Sequence, residues 1–168
     1  MKKLNQKDSI QLLHFIIDNV MVCVDLKYIH KVMSLVELET VPNSPPYLAG
    51  LMNYKGNIIP TIDLKIYAGM PSTNAYTIYT PLIICSDGQK KMGLLVDSVL
   101  DITQTDNNDI DMDKQFNESD SLFSAVVKTN DKQSLLINIE NILNDNVLQK
   151  NRLKAKANNI LQKAETKI

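Results

Sequence analysis

The chain has 168 residues, of which 44% are hydrophobic and 22% are charged, and its formal net charge is −1. A chain of this length buries about two thirds of its unfolded surface, so one domain needs neither a metal nor a disulfide to hold it together. The near-neutral charge argues against a nucleic-acid binder, which carries a basic face to displace counterions.

The first residues predict a loose tail followed by a β-hairpin. Residues 1–9 are polar, and we expect them to be flexible. The run IQLLHFIID, the dipeptide Asp18-Asn19 and the run VMVCVD then predict two strands joined by a tight turn. The basic start is followed by no cleavage signal, and no apolar run reaches the roughly 18 residues of a membrane span, so we expect a cytoplasmic protein without membrane insertion.

Further strand-like runs recur at short spacing along residues 10–145, which we expect to form one domain. Turn signals such as SDGQKK and KTNDKQ separate these runs, which read KVMSLVEL, GLMNY, NIIPTI, TPLIICS, KMGLLVD, SAVVKT and SLLIN. Many short strands with close turns predict a mainly β fold of barrel or sandwich type. No long helical pattern lies between them, which argues against a parallel doubly wound sheet.

Four of the apolar runs end in Asp or Asn and then continue with apolar residues. These positions are Asp25, Asp63, Asp97 and Asn138. Side chains of this type accept hydrogen bonds from free backbone N–H groups, so each position predicts a strand that ends in a capped helical turn. Two such corners in each half of the chain would suit two similar lobes, although their spacing is irregular.

The segment from Ser44 to Leu64, SPPYLAGLMNYKGNIIPTIDL, has three prolines and two glycines but no His, Cys or Glu. Gly50 predicts a close approach by a neighbouring backbone, and Gly56 permits a tight turn with positive φ. Pro60 cannot donate to a ladder, so it predicts a free edge or a bulge. The segment therefore predicts a rigid hairpin with Lys55 at its bend, which builds a surface and not a reaction centre.

Residues 106–120, DNNDIDMDKQFNESD, contain the sharpest candidate for a metal site. The alternation of Asp109, Asp111 and Asp113 resembles a calcium loop. However, Lys114 occupies the position that needs Gly, and Asp120 replaces the Glu that would bind bidentately. We therefore expect a solvated acidic loop, and a calcium or small-ligand sensor is kept as the alternative function.

Enzyme motifs are absent from the sequence. It contains no GxSxG, HExxH, GxxxxGK[ST] or GxGxxG, and His14 and His30 have no motif partner. Cys23 and Cys85 each lie in an apolar run, which predicts small buried hydrophobic residues. We expect neither a catalytic site nor a cofactor.

The C-terminal segment 146–168 predicts an amphipathic helix. Lysines occupy most of its polar faces, and one stripe at helical spacing carries the apolar side chains of Leu153, Ala157, Ile160, Leu161, Ala164 and Ile168. We expect this helix to pack on the rest of the chain.

Three separated segments of the sequence resemble the CheW-like coupling proteins of bacterial chemotaxis. The family's proline-flanked entry, its Asn-x-Arg-Gly bend and its aliphatic run ending in Asp-Leu correspond to residues 42–64. KMGLLVDSVLDI at 91–102 is similar to its Gly-aliphatic-Val-Asp-x-Val segment, and SLLINIENILN at 134–144 to its closing strand and helix. The matches occur in the family order over residues 10–145, so together they are far more specific than any one alone.

The resemblance implies two small five-stranded SH3-like β-barrel lobes around a shared core, with short helices and no enzymatic activity. It implies an adaptor that couples the cytoplasmic tips of methyl-accepting chemoreceptors to the regulatory domain of a CheA-type histidine kinase. A CheW-like adaptor of a twitching or other non-flagellar pathway is the alternative within the same class.

The resemblance also implies a set of partner contacts. They fall after the second strand, at the hairpin bend and in the groove between the lobes, at Ile29, Lys31, Val32, Asn53, Lys55, Gly56, Val99 and Ile102. The four aliphatic residues suit a core as well as a contact surface, and the contact role requires outward-facing side chains.

Two of these positions depart from the family pattern. The family usually has Arg where Lys55 stands, and lysine is a point charge that lacks the planar fork of arginine. The family often has Glu where Lys31 stands, and a reversed charge changes which partner surface is favourable.

Overall fold

The computed structural model describes residues 8–72, 75–112, 121–145 and 161–163. Two helices, α1 (Leu64–Tyr67) and α2 (Ile139–Leu143), and two 3₁₀ turns (Leu26–Tyr28 and Asn107–Asp109) accompany the strands. The strands are β1 (Ser9–Ile17), β2 (Val20–Asp25), β3 (Ile29–Ser34), β4 (Leu48–Tyr54), β5 (Asn57–Asp63), β6 (Pro81–Ser86), β7 (Lys91–Leu95), β8 (Ser98–Asp106), β9 (Ile110–Asp111), β10 (Phe123–Thr129) and β11 (Lys132–Ile137). The predicted mainly β fold is confirmed.

The strands form two mixed sheets. The first lobe is the sheet β8-β1-β2-β11-β10-β9, which has six strands where five were predicted, and the second lobe is the five-stranded sheet β3-β6-β7-β5-β4. Each lobe joins two antiparallel hairpins through one parallel pair, β2 with β11 in the first and β5 with β7 in the second. The predicted β1–β2 turn is confirmed, because Asp18 and Asn19 have φ of 46° and 62°.

The two halves of the chain repeat one another. Strands β1 to β5 correspond in order to β6, β7, β8, β10 and β11, with β9 as an addition. In both halves the chain passes to the other sheet after its second strand, so β3 to β5 join β6 and β7 in the second lobe, and β8 to β11 join β1 and β2 in the first. The third strand of each half, here called an exchanged strand, pairs with the other half at the sheet edge, β3 beside β6 and β8 beside β1. Both of these edge pairings carry a register shift, as do the hairpins β4–β5 and β10–β11. The weak internal repeat in the sequence therefore corresponds to a real one in the topology.

Both sheets curl strongly. In a flat six-stranded sheet, β8 and β9 would lie about 24 Å apart. The three residues Asn107–Asp109 connect them, and such a link spans at most about 14 Å. In the second lobe, His30 on β3 and Tyr54 on β4 lie on opposite edges, yet their ring centroids are 5.7 Å apart. The curling brings the edges of each sheet together, as the predicted barrel lobes require.

The core has three parts. The shared core packs the facing surfaces of both lobes together, with Phe15 and Val22 from the first and Ile83 and Leu94 from the second. A second cluster fills the interior of the second lobe and includes Met52, Tyr54, Ile59, Leu82 and Ile84. The cluster inside the first lobe is smaller and consists of Leu12, Cys23 and Val127. The shared core follows the arrangement that the resemblance implied.

Three of the four predicted capped corners are confirmed. Asp25 accepts from Lys27 N, Asp63 accepts from Lys65 N and Ile66 N, and Asn138 accepts from Asn141 N. The prediction for Asp97 is wrong. The chain continues directly into β8, and the carboxylate accepts from Asp18 N across the lobe boundary instead.

The hairpin β4–β5 shows why its glycine and proline stand where they do. A Cβ on Gly50 would lie 2.7 Å from the carbonyl oxygen of Glu39, so the predicted close backbone approach is confirmed. Leu51 exchanges its two backbone hydrogen bonds with Glu39, so the Leu51–Pro60 pair is not hydrogen-bonded. Pro60 also precedes the first residue of β5 that pairs with β7. β5 lies between β7 and β4, so the predicted free edge is wrong; the missing N–H of Pro60 falls just before the ladder to β7 begins, and the hairpin has its irregularity on β4 between Leu48 and Gly50.

Two predicted segments fall largely outside the described residues. Of the C-terminal helix predicted at 146–168, residues 161–163 are described and are helical and exposed. Of the acidic candidate loop, 113–120 lie outside. No helix in the described part of the chain is long and apolar enough to cross a membrane.

Candidate functional site

Ile29, Val32, Val99 and Ile102 occupy equivalent places on the two exchanged edge strands. Ile29 lies opposite Cys85, and Val32 lies opposite Ile83. Val99 lies opposite Phe15, and Ile102 lies opposite Leu13. All four opposing residues belong to the shared core, and directly paired side chains share a face. In a regular strand, residues three apart face opposite ways; the register shifts keep each aliphatic pair on one face.

On each of these two strands, one aliphatic side chain packs against the core and the other is exposed to solvent. Ile29 and Val99 pack against the shared core, so the expected outward orientation is wrong for these two. Val32 is 42% exposed and Ile102 is 53% exposed. Ile29 and Val99 are packed because each lies near the start of its strand, where the lobes meet. Val32 and Ile102 therefore extend the apolar face of the core to the surface.

The β4–β5 bend presents its side chains in a fixed geometry. Lys55 and Gly56 have φ of 50° and 82°, which makes a tight two-residue turn. The Asn53 side chain accepts a hydrogen bond of 3.1 Å from Gly56 N. Asn53, Lys55 and Gly56 are all exposed, so the bend is available for contact.

A group of cationic and aromatic side chains forms where the second lobe curls on itself. The ammonium of Lys55 lies 5.4 Å from the centroid of the Tyr54 ring, and that of Lys31 lies 5.9 Å from it. His30 meets the same ring edge-on. We call His30, Lys31, Tyr54 and Lys55 the Tyr54 cluster. Within the described residues, neither ammonium has a carboxylate within 4.0 Å, so the cluster is a positive patch.

A second polar group lies between the lobes. Asp63 is 1% exposed and accepts from the hydroxyl of Tyr76 at 2.7 Å and from that of Ser72 at 3.3 Å, besides capping α1. The ammonium of Lys65 lies 2.7 Å from Asp97 Oδ1. Burial, and next the hydrogen bond to Asp63, raise the pKa of the Tyr76 hydroxyl. Of these groups, a cavity of about 430 Å³ is bordered by Asp63, Lys65, Tyr76 and Asp97. Because each carboxylate is already hydrogen-bonded, the arrangement suits a structural clamp better than a general base.

Comparison with known proteins gives the family. Residues 11–147 match the CheW-like domain. The chain belongs to this family. It is similar to the probable chemotaxis protein CheW of Rhizobium etli, with 35% identity over 106 residues that cover 62% of this chain and 67% of that protein. It is 23% identical to chemotaxis protein CheW of Helicobacter pylori over 145 residues, which cover 84% and 86%.

A solved structure agrees with this assignment. The crystal structure of the scaffolding protein TtCheW from Thermoanaerobacter tengcongensis matches with a TM-score of 0.69 and 28% sequence identity, over 77% of this chain and 88% of that one. The resemblance seen in the sequence is confirmed, and the chain is a CheW-like domain of an adaptor and scaffold family.

The cysteines of this CheW-like domain are buried, as predicted. Burial raises the pKa of the Cys85 thiol to about 12 and that of the Cys23 thiol to about 11. Both stay protonated at neutral pH and are poor nucleophiles. No group of three or more His, Cys, Asp or Glu in the described ranges is placed to hold a metal ion.

Sequence reasoning missed Tyr54 and His30 as members of the cationic patch. Both were visible as neighbours of predicted contacts, since Tyr54 precedes Lys55 and His30 precedes Lys31. The missing information was the curl of the second lobe, which no local pattern specifies.

Proposed function

We propose that this CheW-like domain is a non-enzymatic cytoplasmic adaptor that couples the tips of chemoreceptors to the regulatory domain of a CheA-type histidine kinase. The observation that carries the proposal is a pair of exposed aliphatic side chains, Val32 and Ile102, at equivalent places on β3 and β8. Exposed aliphatic positions continuous with a core and rimmed by polar groups are typical of protein contact surfaces. An adaptor needs at least two such surfaces, and the repeated fold supplies one on each exchanged strand.

The Tyr54 cluster supports a partner that differs in charge from the usual family partner. Lys31 stands where the family often has Glu, so an acidic partner surface is favoured here. The same departure supports the alternative of an adaptor in a twitching or other non-flagellar pathway. The exposed side chains of Val32 and Ile102 suit an adaptor of either pathway. Neighbouring genes for receptors, kinase and pilus regulators would separate the two pathways.

Replacement of Ile102 by Asp is expected to weaken binding of the cognate kinase regulatory domain or receptor tip by at least about tenfold. The carboxylate would have to be desolvated in the contact, whereas in the free protein the exposed position leaves the melting temperature nearly unchanged. Calorimetric titration of each partner measures the affinity. Val99 is a poorer probe, because it packs on the core.

The matched control is Ile78→Asp. Ile78 is 71% exposed and lies outside the exchanged strands, so it should leave both affinities unchanged. If Ile102→Asp and Ile78→Asp lost the same binding affinity, the exposed surface of β8 at Ile102 would not be a specific contact. If the folded wild-type protein bound neither partner, the adaptor function itself would be wrong.

Charge reversal in the Tyr54 cluster is expected to change the salt dependence of binding. The double variant K31E/K55E should bind an acidic partner roughly tenfold more weakly at low salt. Raising the ionic strength should weaken the wild type more than the variant, because screening removes attraction from one and repulsion from the other. Titration at two salt concentrations measures both effects. Lys128→Glu, an exposed change on β10 of the first lobe, makes half of this change in net charge away from the cluster; a loss of binding free energy half as large there would contradict a specific acidic contact.

A further inference from the structure

The internal repeat allows the interiors of the two lobes to be compared position by position. The edge-strand pairings and the two hairpin registers assign to each interior residue of one lobe an equivalent residue in the other lobe. The interior of the second lobe is apolar at five of these positions, and the first lobe is polar at all five. His14 replaces Ile84, Ser134 replaces Ile59, and the remaining exchanges are Thr103 for Met33, Thr105 for Leu35 and Thr129 for Tyr54.

A polar interior is costly unless its groups are paired. Three of the five side chains pair with one another. His14 Nδ1 lies 3.2 Å from Ser134 Oγ, and His14 Nε2 lies 2.7 Å from Thr103 Oγ1. Burial lowers the pKa of His14, against the opposing effect of Asp101, so the imidazole is neutral at pH 7 and uses one nitrogen as donor and the other as acceptor.

The other two side chains are not satisfied. The hydroxyls of Thr105 and Thr129 are buried and have no hydrogen-bond partner in the described part of the chain. Thr105 is only 2% exposed. Buried hydroxyls without partners are rare in native proteins and call for an explanation such as a bound molecule. In the second lobe, the positions equivalent to Thr105 and Thr129 are Leu35 and Tyr54, which pack in its core; Thr61 on β5 is a third buried hydroxyl without a partner among the described residues.

Where the second lobe has this tyrosine, the first lobe has a cavity of about 330 Å³. His14, Thr103 and Ser134 line its inner part, and Met21 and Leu100 form an apolar wall. A volume of this size is at the lower end for small-molecule sites, and the mouth of a β-barrel is a common place for one.

Two opposite charges border the same cavity. Asp101 and Lys132 both line it, and no ion pair within 4.0 Å joins them to each other or to another described residue. A molecule that carries an ammonium and a carboxylate would meet both charges, while the hydroxyls and the imidazole offer hydrogen bonds further in. The apolar wall leaves room for a short side chain.

We propose that the mouth of the first lobe binds a small zwitterion of the amino-acid class. The ammonium lies toward Asp101, the carboxylate toward Lys132, and the side chain against Met21 and Leu100. The unpaired hydroxyl of Thr129 gains a partner when the site is filled. This site shares β8 with the proposed partner contacts, since Leu100, Asp101 and Thr103 flank Ile102, but the proposal does not rest on the adaptor function.

The test is a titration of the 168-residue chain with the amino acids found in proteins, in which binding is followed by amide shifts in NMR and by calorimetry. Concentrations up to about 10 mM cover dissociation constants into the millimolar range. We expect saturable binding of at least one amino acid, with shifts at β8 and the β10–β11 turn. Propionate and ethylamine, which carry one charge each, should bind at least about tenfold more weakly.

Thr129→Tyr copies the residue that closes the second lobe, and it should abolish binding. Because a tyrosine here could disturb folding, Asp101→Asn and Lys132→Gln provide exposed changes that should each weaken binding about tenfold without affecting the melting temperature. The proposal is overturned if no amino acid binds saturably, in which case the cavity holds water only. It is equally overturned if binding survives all three substitutions in folded protein.

Discussion

Substitution of Asp63 by Ala should lower the free energy of unfolding by about 3 kcal/mol. Its carboxylate is almost fully buried and accepts four hydrogen bonds, from Lys65 N, Ile66 N, Ser72 Oγ and Tyr76 OH. Alanine leaves two helix N–H groups and a tyrosine hydroxyl without an acceptor in a site that water reaches poorly. Urea unfolding followed by circular dichroism measures the loss, and an unchanged m-value would show that the unfolded state is unaffected.

Asp25→Ala is the matched control for this prediction. Asp25 caps the 3₁₀ turn Leu26–Tyr28 through a single bond of 3.0 Å from Lys27 N at an exposed corner. Its loss should cost about 1 kcal/mol or less. Asp63→Asn should fall between the two, because the amide oxygen still accepts from α1 while the amide nitrogen cannot accept from Tyr76. Equal losses for Asp63→Ala and Asp25→Ala would contradict the importance of the buried network.

Lys65→Met is expected to destabilise the fold by about 2 kcal/mol, between the cost of breaking an exposed ion pair and a buried one. The Lys65 side chain is 9% exposed and that of Asp97 is 32% exposed. Asp97 also accepts from Asp18 N at 2.7 Å, and its own N–H donates to Ile16 O at 2.9 Å. The pair therefore ties α1 of the second lobe to the β1–β2 turn of the first.

A double-mutant cycle with Asp97→Asn separates the pair from its surroundings. The variant K65M/D97N should be less destabilised than the sum of its single variants by about 1 kcal/mol or more, because each single change leaves the other charge unpaired. Chemical denaturation of the four proteins gives the coupling. Additive losses would mean that Lys65 and Asp97 act separately. Hydrogen exchange at Asp18 should quicken in every variant that loses the Asp97 carboxylate.

Most strands were predictable because each has a run of apolar residues bounded by turn-forming residues. β8 was not, because its register shift interrupts the alternation and places Leu100, Asp101 and Ile102 in the open. The error at Asp97 has the same origin, since pairing with β1 draws the chain into a strand where local chemistry favoured a capped turn. Pairing between distant strands decided both cases.

The site was predictable only in part. The bend residues Asn53, Lys55 and Gly56 carried a recognisable pattern, whereas Tyr54 gains its role from Lys31 and His30 across the curled sheet. The polar interior of the first lobe was hidden for another reason. Thr103 and Ser134 each have a polar neighbour, as residues of a solvent-facing stretch do, and His14 is a single polar residue in an apolar run, so the sequence does not show that the three face one interior.

The exchange of β3 and β8 makes the molecule resemble a domain-swapped homodimer whose two subunits have been fused. One half alone would leave β3 or β8 without the partner strand that the other half supplies. Both pairings are intramolecular here, and neither lobe contains all its strands from one half of the chain. The two halves must therefore fold and unfold as one cooperative unit, and cutting the chain between them would yield fragments that reassemble with each other and not two independent domains.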